Sequence, residues 1–212
     1  MESTEGRFLF LKRLRYYLKR NIWYTYLMLL SMKYSYLFGT LLFFIPWVII
    51  YWKRKDLRQE MWVLSVLVGG VSVLTSYTWW TDNWWDPQTI TGTKVGIEDF
   101  LLGFANGGVA AAIYSFLTGK IYFSKSSGSR NLEAVLVPGL MFVVIALLHG
   151  YFEINTFYSL SVAMFISGIY FLVLRPDLFK MSIMSGLLMA LLSLPVYWFS
   201  ELISPGVIEA SW

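Results

Sequence analysis

Four carboxylates, Asp82, Asp86, Glu98 and Asp99, and four tryptophans, Trp79, Trp80, Trp84 and Trp85, fall within residues 79–108, between two stretches that are almost uncharged. Adjacent carboxyl groups can divide the work of acid catalysis: one stays neutral and gives a proton, the other stays ionised beside a developing cation. A carboxyl group can act as the acid only if its proton is held in apolar, water-poor surroundings, where burial disfavours the anion. Opposing this, Glu98 and Asp99 open a helical pattern, and the positive end of a helix favours the anion. The tryptophans offer aromatic faces, each worth about 1–2 kcal/mol to a cation that cannot hydrogen-bond. Such clusters are also ordinary anchors at a membrane boundary. Asp82 and Asp86 have the Asp-x-x-x-Asp spacing with which two carboxylates hold magnesium on a diphosphate.

The elements that must position these groups are apolar. Of the 212 residues, 57% are hydrophobic and only 14% are charged, against roughly 25% charged in soluble domains. A helix needs about 20 apolar residues to cross a bilayer. Six stretches qualify or come close: 34–52, 61–80, 98–117, 132–152, 156–174 and 181–199. With short loops between them, the expected fold is an all-α, polytopic transmembrane bundle of about six helices running up and down. Carboxylates at this depth are costly, which makes residues 79–108 the place to look for chemistry.

Composition narrows that chemistry. Cysteine is absent, which excludes thiolate nucleophiles and thiolate metal sites, and the single histidine, His149, cannot build a metal cluster alone. No glycine-rich phosphate cradle is present; Gly69, Gly70, Gly107 and Gly108 lie in apolar runs, where small residues let helices approach. No cofactor, metal or nucleotide is expected. The formal charge of +4 comes from basic loops rather than from a separate patch, so no nucleic-acid partner is expected either.

Residues 1–33 differ from the rest. Leu11, Leu14, Leu18 and Ile22 recur at helical spacing with Lys12, Arg13, Arg15, Lys19 and Arg20 mostly between them, the pattern of a basic amphipathic helix in the headgroup layer. Lys53, Arg54, Lys55 and Arg58 mark the first loop as cytoplasmic, as do Lys120, Lys125 and Arg130 the third, while the loop carrying Asp82 and Asp86 is acidic. This alternation suits a bundle in the cell membrane. It also puts the basic N-terminal segment on the non-cytoplasmic side, against the positive-inside rule.

An internal repeat organises the remainder. YSYLFGTLLFFIPWVIIYWKRKDL, ending at Leu57, is echoed by FYSLSVAMFISGIYFLVLRPDL, ending at Leu178, each closing on a basic turn with Asp-Leu. MWVLSVLVGGVSVLTSYTWW is then echoed by MSIMSGLLMALLSLPVYWF, each finishing in aromatics before an acidic, proline-containing loop. Two tandem three-helix-type units are expected, 34–125 and 132–212, the second including a linking helix and lacking its third helix. That incompleteness leads to an expected homo- or heterodimer.

Several smaller features have both a structural and a functional meaning. Asp99, Gly103, Asn106 and Ala110 share one helical face, and Gly103 and Gly107 form a Gly-x-x-x-Gly spacing suited to close packing. Asn106 is expected either to bond a neighbouring helix or to line a substrate pocket. His149 and Glu153, at i and i+4, are expected to form a pair.

At Gly96, Ile97, Glu98, Asp99 and Phe100 the chain resembles the membrane lycopene cyclase domain family, small cofactor-free cyclases that occur as heterodimers or tandem fusions. The likeness lies in the three-helix unit, the aromatic, aspartate-bearing second connection and a Pro-x-Glu-Glu-type motif opening the third helix. It covers about residues 35–120 well and 155–212 weakly. Gly96 stands where proline is usual, and Asp99 where a second glutamate is usual. The resemblance implies redox-neutral ring closure at the end of a linear carotenoid: protonation of a terminal alkene, attack of a neighbouring double bond on the carbocation, and proton loss. On that reading Glu98 is the preferred acid and Asp99 its partner, with Asp82 and Asp86 the next acids to consider and Trp79, Trp80, Trp84, Trp85 and Asn106 lining the substrate site. Two other readings stand beside it: a magnesium-dependent membrane prenyltransferase using Asp82 and Asp86, and a non-catalytic subunit of a membrane assembly.

Overall fold

The computed structural model describes residues 33–119 and 130–211. The expected amphipathic segment and the basic residues Lys120 and Lys125 therefore lie outside the described residues, as does Trp212. Six long helices follow in order: α1 (Lys33–Lys53), α2 (Arg58–Thr75), α3 (Ile97–Thr118), α4 (Arg130–Ile145), α5 (Thr156–Leu174) and α6 (Phe179–Ile203). A short α7 (Val207–Ser211) closes the described chain, which contains no strand among the described residues. The six apolar stretches coincide with the six long helices. Five are long and apolar enough to cross a membrane; the apolar part around α4, Leu136–Tyr151, is shorter. The chain is thus an all-α protein of the integral membrane type.

Two features of the sequence shape the helix ends. Before α2 and before α6 the chain makes the same turn. Arg54 and Arg175 take similar extended conformations (φ −116°, ψ 81° and φ −131°, ψ 66°), and a single 3₁₀ turn follows each. In each turn the guanidinium grips the aspartate two residues on, through Nε at 3.0 Å in both and Nη2 at 2.7 Å to Asp56 or 2.9 Å to Asp177. A planar fork meeting a carboxylate in this way fixes direction as well as distance. At the opposite end, α2 and α4 both widen into a π turn, Ser76–Trp80 and Ala146–Tyr151. Such turns displace side chains from the regular helical spiral and recur at functional sites.

The tightest packing is between α2 and α3, where small residues are needed because the backbones nearly touch. A Cβ on Gly103 would lie 2.6 Å from Ser72 Cβ and 2.8 Å from the Val68 carbonyl oxygen. Gly107 is set as closely against Leu64 and Val68, so the Gly-x-x-x-Gly spacing packs α3 onto α2. Below this contact Trp47, Met61, Phe104, Val109 and Ile113 form the core, with Trp47 Nε1 donating to Ser65 Oγ at 2.9 Å. From α6, Leu188, Met189 and Leu192 pack on the same cluster. Arg54 ties the α1–α2 turn to the Ser115 carbonyl near the end of α3. At the other end, Asn83 Oδ1 accepts from the Thr156 amide at 3.2 Å, and the Asp86 amide donates to the Ser211 carbonyl at 3.0 Å. The loop of residues 81–96, the start of α5 and α7 therefore share one end of the bundle.

Candidate active site

α3 begins at Gly96, which is extended (φ −106°, ψ 177°) and leads straight into Ile97, Glu98 and Asp99. The first amides of a helix lack internal partners, and Asp99, three residues in, reaches back to satisfy the Gly96 amide with Oδ2 at 2.9 Å. Its other oxygen, Oδ1, accepts from Ser76 Oγ at 2.8 Å and from Tyr36 Oη at 2.9 Å. Three donors from α1, α2 and the α3 N-terminus thus converge on one carboxylate, only 2% exposed.

Glu98 is treated differently. It is completely buried, Oε1 accepts from the Ile90 amide at 2.6 Å, and Oε2 has no hydrogen-bond partner. The same oxygen explains Gly96: a Cβ there would collide with Glu98 Oε2 and lie 2.8 Å from Thr89 Cβ. The loop holding Ile90 in place is itself tied by Thr89 Oγ1 donating to the Thr93 carbonyl at 2.7 Å. Two consecutive acids thus share a buried site and differ sharply in hydrogen bonding.

The other residues singled out by sequence are distributed around this pair. Trp79 and Trp80 wall a cleft of about 890 Å³ between α2, α4 and α5, which runs on to Arg175 at the far end. Trp79 packs on Phe142 at 5.8 Å between ring centres. Trp85 lies instead in a smaller cavity against Tyr36, edge to face at 5.9 Å. Trp84 joins the two sets, 6.0 Å from Trp80, 6.3 Å from Trp85 and 5.1 Å from Phe157. The four rings therefore form a band across one end of the bundle rather than a single cage. Asp82 is exposed and ion-paired to Lys94, and the side chain of Asp86 is exposed. Among the described residues no three His, Cys, Asp or Glu side chains gather as a metal site would require.

One expectation about a side-chain partner is corrected, that of His149, while Asn106 bonds within its own helix. Asn106 is half-buried and donates to the Leu102 carbonyl of its own helix at 3.0 Å. His149 Nδ1 meets the Ile154 carbonyl at 2.9 Å, because the helix ends at Tyr151 and Glu153 turns away with φ 55°. The i, i+4 geometry that would pair His149 with Glu153 is lost at that turn.

Sequence reasoning did not single out Tyr36 or Ser76, which complete the Asp99 site. Ser76 had a signal: Ser65, Gly69, Ser72 and Ser76 recur at helical spacing through an apolar span, the stripe against which α3 packs. Tyr36 carried none beyond its place at the start of the repeat. No family model, curated protein or solved structure matches this chain.

Proposed function

We propose that this chain is a membrane enzyme that closes a ring at the end of a linear polyene of the lycopene type, with no change of oxidation state. The observation that carries this reading is the unequal pair at the start of α3. Asp99, buried and accepting from three donors, has both oxygens engaged by the protein. Glu98 keeps one oxygen unpartnered in the same buried site, so it is the member of the pair with an oxygen left to engage a substrate.

The chemistry then balances within the pair. The Glu98 O–H bond breaks as a C–H bond forms on the terminal alkene, and the neighbouring double bond closes the ring onto the cation. A ring C–H bond breaks, its electrons become the ring double bond, and its proton returns to the Glu98 carboxylate. Asp99 stays ionised and stabilises the cation, and no cofactor takes part. The apolar cleft between α2, α4 and α5 suits the remainder of a long hydrocarbon, extending along α5, whose 19 residues span about 28 Å. Thr75 walls that cleft and its neighbour Ser76 bonds Asp99, so the π turn Ser76–Trp80 separates substrate from acid and must shift to admit the chain end.

We place the protein in the cell membrane with the Arg54 and Arg175 turns at the cytoplasmic face, on the strength of their charge. The prenyltransferase reading gains nothing from the geometry, with Asp82 engaged by Lys94. Expression in a host that accumulates lycopene, followed by pigment analysis, tests the proposal. A cyclic carotenoid that forms equally well with magnesium chelated supports it; unchanged linear pigment with the protein present in the membrane overturns it.

A further inference from the structure

We infer that the small cavity between α1, α6 and α7 is an end-group subsite, which holds the terminal C(CH₃)₂ group of an unsaturated isoprenoid chain whose remainder lies in the cleft between α2, α4 and α5. This subsite rests on the cyclase reading above and names the part of the substrate that selects it. The acids stand between two apolar spaces. Thr75 walls the large cleft, and its neighbour Ser76 donates to Asp99 Oδ1 at 2.8 Å. Tyr36 walls the small cavity and donates to the same oxygen at 2.9 Å. Leu102, one helical turn beyond Glu98, walls the small cavity as well. A chain end that passes the π turn to reach the carboxylates therefore meets this cavity next.

The cavity suits carbon rather than water. Its walls, which include Phe43, Trp85, Pro87 and Val196, present an almost wholly apolar surface. Nearby hydroxyls are turned to other tasks: that of Tyr36 goes to Asp99, that of Ser211 donates to the Val207 carbonyl at 2.8 Å, and that of Thr40 is buried and presents no surface to the cavity. Apolar cavities of this kind stay dry and take apolar guests. Its volume of about 70 Å³ is roughly half that of a ~150 Å³ cavity that takes benzene, which matches a branched group of about three carbons rather than a six-membered ring. With its two methyl groups lodged there, the terminal double bond lies back toward Glu98 and Asp99, and this fixes which carbon meets the acid.

The wall formed by α7 is held on both sides. The Gly206 amide donates to Glu201 Oε1 at 2.6 Å, and the Ser211 carbonyl accepts from the Asp86 amide at 3.0 Å. The second bond joins α7 to the loop whose Ile90 amide donates to Glu98. One loop, residues 81–96, thus sets the subsite and the acid against each other. Val207 of α7 and Val196 of α6 face the same space from outside the carboxylate network, so bulk added at either position tests the space without touching the acids.

The test measures equilibrium binding of lycopene to the full chain in phosphatidylcholine vesicles, read as quenching of tryptophan fluorescence, in a Glu98→Gln background so that no ring closes. Val207→Phe fills the cavity from α7 and is expected to weaken binding by about tenfold or more, the scale of losing two buried methyl groups. Leu194→Phe, on α6 but 63% exposed and outside both cavities, is expected to leave binding within about twofold. Adding Val196→Ala to Val207→Phe gives the space back and is expected to restore most of the affinity. Should Val207→Phe fail to reach the membrane, Val196→Phe fills the same cavity from α6, with Val207→Ala as its counterpart. Equal affinity with the cavity open and filled overturns the subsite and leaves the cyclase reading standing, and a filled cavity that alters thermal stability alone marks a bilayer acyl chain as its occupant. A loss that the compensating alanine does not repair also overturns the subsite, because the bulk then acts through the fold. Absence of lycopene binding by the native and Glu98→Gln chains alike overturns the cyclase reading itself.

Discussion

The helix pairs α1–α2 and α5–α6, expected from sequence to be repeats, start alike and end differently. Each opens with a helix, an Arg-x-Asp-Leu turn and a second helix, and the two turns agree in backbone conformation and in their bidentate ion pair. Beyond the turns the likeness stops. α2 is covered by α3, which is 56% buried along its apolar span, whereas only 6% of the α6 span is buried. Counting from the matched aspartates, the α2 stripe Ser65, Gly69, Ser72 and Ser76 corresponds to Gly186, Ala190, Ser193 and Tyr197 on α6. The first stripe receives the glycines of α3 and ends at Asp99, while a Cβ on Gly186 would meet nothing within 4 Å. Four residues of local sequence are enough to write a turn. A buried acid pair requires a third helix packed close enough to exclude water.

The largest expected effect separates the acids at corresponding ends of the two repeats. Glu98 accepts from the Ile90 amide, and Glu201, near the end of α6, accepts from the Gly206 amide at 2.6 Å. Both look like carboxylates that organise a loop, but only Glu98 is sealed and keeps an unpartnered oxygen. Glu98→Gln should lower cyclisation by about 100-fold or more, the scale of general acid catalysis, at unchanged protein level. Glu201→Gln should leave the rate within about twofold, because a neutral amide oxygen still accepts from the Gly206 amide. Equal losses from the two variants would show that both acids act through loop structure, and the comparison would collapse.

Next in size is a steric test of the two stripes. Gly103→Val forces a side chain into Ser72 and Val68 and should destabilise the protein by about 2–3 kcal/mol, the usual cost of overpacking. Gly186→Val meets open space and should change stability by no more than about 0.5 kcal/mol. Thermal unfolding in a mild detergent reads both. A large cost at Gly186 would mean that α6 is covered by another helix in the membrane.

How far such contrasts can be read from sequence depends on whether their cause is local. The six long helices follow from apolar runs bounded by charged turns, and the repeated Arg-x-Asp-Leu turn is written in four residues. The burial of Glu98 and Asp99 was foreseeable from the cost of placing two acids beside an apolar span. Which of the two would be satisfied was not. That depends on Tyr36 and Ser76, 63 and 23 residues away from Asp99 in the chain, meeting one oxygen through the packing of three helices. Asn106 shows the complementary limit: spacing gave its face of the helix, but its amide found the Leu102 carbonyl one turn back. His149 shows a third, since a π turn ended the helix before the i+4 partner could face it. The tryptophans were visible as a group, yet their division between two cavities follows from the widened end of α2 and the loop beyond it.

The smallest expected effect concerns what joins the repeats. α5 begins with two amides served by two asparagines: Phe157 donates to its own N-cap, Asn155, at 2.8 Å, and Thr156 donates to Asn83 in the first repeat at 3.2 Å. Both lie at the end of the bundle, where water can replace a lost acceptor, so each alanine substitution should cost about 0.5–1 kcal/mol, near the low end for a helix cap. Asn83→Asp keeps an acceptor and adds a negative charge at a helix N-terminus, so it should recover the loss. The two alanine variants remove acceptors from adjacent amides of one turn, so their effects should couple rather than add in thermal unfolding. If Asn83→Ala instead costs more than Gly103→Val, the loop is the main link between the repeats. The packing of Leu188, Met189 and Leu192 on the α2–α3 core would then be secondary, and the tight and the loose half of the molecule would exchange their roles in holding it together.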